Sequence, residues 1–143
     1  MNEFIAHIEN ICLRFVSTFQ DQLTWEWDDR YGAVLATCKT DVKDAVSLSL
    51  EYHMNAVWDN SNTEDASDIV LDAISHFGGL MPGQLLFTSD PTQDTLLCCT
   101  WWPWGDGKTA SIRVAPYQNK ISDPDKAMVK KTFQSWFGIS KKG

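Results

Sequence analysis

Three strand-length segments follow one another at about 84–89, 95–102 and 109–115, with only turns between them. Pro91 and Asp94 mark the first turn; Pro103 and Gly105-Asp106-Gly107 mark the second. Strands that come in runs, and do not alternate with helices, form an antiparallel sheet with helices laid mainly against one face.

The rest of the chain fits that frame. Phe4, Ile5, Ile8, Ile11, Cys12, Phe15, Val16 and Phe19 recur at three- and four-residue steps. They predict an amphipathic helix over 2–22 with Asn2 as its N-cap. Its polar face sets Glu3, Glu9 and Asp21 against Arg14, which suits no anionic lipid surface. Residues 23–28 alternate with period two and place Trp25 and Trp27 on one face. Asp29-Arg30-Tyr31-Gly32 turns the chain into a second strand, Ala33 to Lys39, which makes a hairpin.

After a polar turn at 40–44, residues 45–58 alternate over an unusual length. Val46, Leu48, Leu50, Tyr52, Met54, Ala56 and Trp58 face one way. Ser47, Ser49, Glu51, His53 and Asn55 face the other, which predicts a long half-buried strand. A helix over about 63–77 turns Ile69, Val70, Ala73, Ile74 and Phe77 inward and stops at Gly78-Gly79. Asp123 as N-cap with Pro124 at N1 opens the last helix. That helix carries Val129, Phe133, Trp136 and Phe137, Gly138 stops it, and residues 140–143 are expected to fray. The expected fold is α+β: one domain over 1–143, with an antiparallel sheet of five or six strands. Three helices pack mainly on one face, in the order α-β-β-β-α-β-β-β-α.

At 143 residues the length suits one domain, and about 68% of the extended surface can be buried. A hydrophobic fraction of 43% excludes a disordered chain, and four Cys are too few for a disulfide scaffold. The net charge of −7 is uneven. Residues 1–107 hold 17 acidic and 4 basic side chains; residues 108–143 hold 2 and 8. A basic end on an acidic body can bind an anionic partner. The plainer reading is that the last helix neutralises the body it packs on. Arg-rich runs are absent, so nucleic acid is not expected as a partner. No signal peptide and no apolar run of transmembrane length is visible, so the expected setting is the cytoplasm, without a membrane partner.

Motifs for chemistry are scarce. His7, His53 and His76 are isolated, C-x-x-C is absent, and adjacent Cys98 and Cys99 point to opposite strand faces, so no metal site is expected. The cysteines read as small buried hydrophobes. Neither phosphate-loop spacing nor a G-x-S-x-G elbow occurs, and no cofactor is expected. On the expected strand, Glu51 and His53 project from one face about 7 Å apart. Glu51 can orient His53 as a base, though no nucleophile completes a triad and a solvent-facing row explains the same residues.

Seven of the residues are Trp. Trp25 and Trp27 share a strand, while Trp101, Trp102 and Trp104 surround Pro103. Such rings supply core volume, line a pocket or form an interface; Trp102 and Trp104, near a loop, are the better candidates for exposure. Element order and acidity together make the chain similar to the small acidic chaperones of bacterial type III secretion, which are dimers of about this size. Immunity proteins and mobile-cassette products also look like this.

Three readings follow. The first is a non-enzymatic binding module with a protein partner, acting as a homodimer. The second is a small-molecule-binding protein whose Trp-lined pocket takes an apolar or cationic ligand. The third is an enzyme using Glu51 and His53. The candidate site residues are Trp25, Trp27, Glu51, His53, Trp102 and Trp104.

Overall fold

The computed structural model describes residues 1–139; the expected frayed tail at 140–143 lies outside them. Its strands are β1 (Trp25–Asp28), β2 (Ala33–Lys39), β3 (Ala56–Trp58), β4 (Leu85–Thr88), β5 (Leu96–Pro103) and β6 (Thr109–Tyr117). All six join in one antiparallel sheet ordered β1-β2-β6-β5-β4-β3. Four helices accompany it: α1 (Asn2–Thr18), α2 (Lys43–His53), α3 (Asp68–His76) and α4 (Asp123–Trp136).

Residue alternation along β5 divides the interior in two. Leu97, Cys99 and Trp101 point to one side and meet Ile8, Cys12 and Phe15 of α1, Val46 and Leu50 of α2, and Val129 and Phe133 of α4. Leu96 and Cys98 point to the other side and meet Val70, Ala73 and Phe77 at α3. The sheet is therefore covered by three helices on one face and by α3 on the other. Both faces of β5 are apolar because both are covered.

The first helix is shorter than its apolar pattern. It ends at Thr18, and Met1, not Asn2, occupies the N-cap position, without a side-chain hydrogen bond. The last helix is capped by Ser122, whose Oγ accepts from the Asp125 N–H at 3.2 Å, so Pro124 falls one position deeper than expected. Both α3 and α4 close on a glycine with positive φ, Gly78 at 95° and Gly138 at 68°. The N–H two residues past the cap then bonds back into the last turn, as in Gly79 N–H to the Ile74 carbonyl at 2.8 Å.

The long strand expected over 45–58 is not formed. Its first part is α2, and only Ala56–Trp58 pairs, with β4. Val46, Leu50 and Met54 are buried, whereas Leu48 is 71% and Tyr52 82% exposed. Steps of four are even, so positions 46, 50 and 54 satisfy a two-residue strand repeat and a helical repeat equally. Only the intervening 48 and 52 separate the two, and they face solvent. Met54 ends the helix in an extended conformation, and the Asn55 N–H turns to the Thr88 carbonyl at 2.9 Å.

Candidate functional site

The expected Glu51–His53 pair rested on a strand. Two residues apart on α2, the side chains are separated by about 200° around the axis. His53 packs edge-on against Tyr52, with ring centroids 4.9 Å apart. The helix thus removes the common face on which Glu51 was to orient His53.

The Trp residues occupy several places. Trp25 and Trp101 lie in one cross-strand row, Trp25–Ala36–Ile112–Trp101, on the three-helix face. Two strands separate them, about 14 Å at the usual spacing. Trp101 is core, and Trp25 packs edge-on against Phe137 with centroids 4.8 Å apart. Trp102 points to the α3 face, where it is half-buried near Phe77. Trp104 is 50% exposed at the β5–β6 turn, and its indole N–H donates to Ser111 Oγ at 2.8 Å. The Trp excess therefore marks no single place.

Of the six candidates, only Trp27 lines a groove of about 690 Å³ at the end of the sheet where β1 stops, β2 starts and β6 stops. The groove runs across that end, from His76 at the close of α3 to Lys126 and Lys130 on α4. Its volume lies within the usual range for small-molecule sites, about 300–1,000 Å³. Tight local folding builds its walls. The Arg30 N–H donates to Asp28 Oδ1 at 3.0 Å, and Gly32 takes a φ of 62°, which reverses the chain. Asp28 also receives Arg113 Nε at 2.9 Å across β2. The Arg113 guanidinium sits 4.8 Å from the Tyr31 ring centroid, so the turn is anchored to the sheet through the same ring that faces the groove. A carbonyl only accepts, so His76 Nε2–H donates to the Tyr31 carbonyl at 2.9 Å. Tyr117 stands beside it, with centroids 5.4 Å apart. Its phenol pKa is raised by partial burial, then by the charge of Asp72.

Electrostatically the groove is the reverse of the chain. Arg30, Lys120, Lys126 and Lys130 line it, against one carboxylate, Asp29. Lys130 Nζ lies 3.2 Å from Asp29 Oδ1, and the Trp27 indole N–H donates to the same oxygen at 2.8 Å. Those two contacts hold the Asp29 carboxyl below its ordinary pKa, the Lys130 hydrogen bond most of all. Lys126 Nζ reaches only to 4.0 Å of the exposed Asp123. Arg30 and Lys120 form no ion pair among the described residues. The arrangement offers unneutralised cations beside aromatic surface.

Tyr31, His76, Tyr117, Arg30 and the three lysines were not singled out from sequence as site residues. The signal that pointed toward them was the basic excess after residue 107.

Nucleophilic chemistry finds no footing at the cysteines. Burial pushes Cys12 up to about 12 and Cys38 to about 11, with Asp41 adding to the latter, and raises Cys98 and Cys99 as well. No group of three or more His, Cys, Asp or Glu able to hold a metal occurs among the described residues. None of the described helices is long and apolar enough to cross a membrane. No protein-family model matches the chain, and neither a curated protein nor a solved structure shows significant similarity to it.

Proposed function

We propose that the protein is a non-enzymatic binding module whose ligand carries negative charge and docks in the groove between the β1–β2 turn and α4. The observation that carries this reading is the groove's lining: four cations and one already paired carboxylate, in a chain of net charge −7. A concave site lined by one sign of charge concentrates ligands of the other sign. This lining favours an anion over the cationic ligand considered from the Trp content. Four free, buried cysteines support a reducing setting such as the cytoplasm.

Thermal unfolding in the presence of size-matched anionic, neutral and cationic compounds tests the reading. At about a hundredfold excess over Kd a bound ligand stabilises by about 2.7 kcal/mol, a rise of several degrees in Tm. Anions alone are expected to produce it, and added salt to weaken it. A panel in which no anion raises Tm at low salt would overturn the proposal.

A second reading, self-association or a protein partner as for a chaperone-like or immunity-type protein, is favoured by α2. Leu48 and Tyr52, one helical turn apart, present apolar surface to solvent. Light scattering behind size exclusion reads it directly: twice the 16.2 kDa chain mass supports a homodimer, and the chain mass alone at high micromolar concentration contradicts one.

A further inference from the structure

Resting on that reading, we infer that the ligand is a small amphiphilic anion: a flat apolar body of one or two rings ending in a phosphate or carboxylate. The lining is divided. Trp27, Tyr31, Tyr117 and Ile121 supply aromatic and aliphatic surface, while Arg30, Lys120 and Lys126 supply positive charge. A compact inorganic anion engages the cations and leaves the apolar wall wet. A purely apolar compound covers that wall and takes cations out of water without a counter-charge, which is costly. Only a molecule carrying both parts satisfies both. The size agrees, since about 690 Å³ suits a small molecule.

The charge pattern assigns the two ends. Lys130 is occupied by Asp29, and the same carboxylate accepts from the Trp27 indole, so that side of the groove is neutralised and aromatic. Arg30, whose guanidinium lies 5.0 Å from the Tyr31 ring centroid, and Lys120 have no carboxylate partner among the described residues and are the groups left for the anionic head; Lys126, 4.0 Å from Asp123, also lines the groove. Arg offers a planar fork suited to phosphate or carboxylate oxygens, and Lys a point charge. Burying about 60 Å² of ring beyond what a bare anion buries corresponds to a tenfold gain in affinity.

The test is a titration of ¹⁵N-labelled protein at fixed ionic strength with three probes: 1-naphthyl phosphate, inorganic phosphate and 1-naphthol. The Trp indole N–H resonances, with Trp27 assigned through Trp27→Phe, and the backbone amides of Arg30 and Lys120 are the readout. Naphthyl phosphate is expected to move Trp27 and leave the core Trp101 in place, binding at least tenfold more tightly than either fragment. Lys120→Glu with Lys126→Glu is expected to weaken it at least tenfold while the indole dispersion stays that of a folded chain. If inorganic phosphate binds as tightly as naphthyl phosphate, the amphiphile is overturned and the anion site stands. If naphthol binds as tightly, or if no probe moves Trp27 or the backbone amides of Arg30 and Lys120, both the amphiphile and the anion-binding function fall.

Discussion

A thiol surrounded by water ionises near its ordinary pKa of 9.0, but Cys12, Cys38, Cys98 and Cys99 are all buried in this fold. Raised pKa values mean that the folded state resists losing those protons, while the unfolded chain gives them up from pH 9 upward. Stability from this source is intact below pH 9 and declines as pH climbs toward the folded values, which reach about 11 for Cys38 and about 12 for Cys12. By pH 10 each fully buried thiol costs about 1.4 kcal/mol. Urea unfolding is therefore expected to show a falling midpoint between pH 8 and 10, and a smaller fall in Cys12→Ala. A pH-independent midpoint over that range contradicts it. The same burial predicts that a thiol reagent such as DTNB labels none of the four cysteines before unfolding. At Asp29 the expectation runs the other way. It is the one carboxylate in the groove and it occupies Lys130, so Asp29→Asn is expected to tighten binding of an anion severalfold by calorimetry. Unchanged or weaker binding would show that Lys130 faces no ligand.

At the level of single elements, α2 gives the sharpest contrast. Leu50 is buried and Leu48 is not, although a strand would have put them on one face. Leu50→Ala is expected to cost about 2–5 kcal/mol of unfolding free energy and Leu48→Ala well under 1. Equal losses in chemical denaturation would favour the strand. At α4 the hydroxyl that caps the helix belongs to Ser122, so Ser122→Ala is expected to cost about 1 kcal/mol. What was legible here follows from periodicity. The hairpin strand Ala33–Lys39 and the strands β4, β5 and β6 lie where turn residues and alternation put them, because each has neighbours that reward one register. The segment at 45–58 was illegible because Val46, Leu50 and Met54 fit two repeats, and only burial by α1 and the sheet chooses between them. The cap of α4 shifted by one residue for a similar reason: Ser122 and Asp123 both suit an N-cap, and local geometry picks the first.

For the whole molecule, the sequence held the raw material of the site without its location. The basic excess after residue 107 was visible, yet only three of its eight side chains, Lys120, Lys126 and Lys130, line the groove, once α4 folds back beside the β1–β2 turn, which adds Arg30 from the acidic part of the chain. The Trp content drew attention to residues that the sheet then distributes over both faces, and Trp27 alone reaches the groove. Glu51 and His53 were tied to a strand that does not exist. In the proposed function this groove, and not the chain's charge in general, holds the anion. Calorimetric titration with 1-naphthyl phosphate of the natural chain, of Lys120→Glu with Lys126→Glu, and of Lys39→Glu with Lys43→Glu tests it most directly. The two double variants change net charge equally, but Lys39 and Lys43 lie outside the groove. An anion held in the groove means at least a tenfold loss of affinity in the first variant and no more than about a twofold change in the second; equal losses in both, or none in the first, would rule the groove out as the anion site.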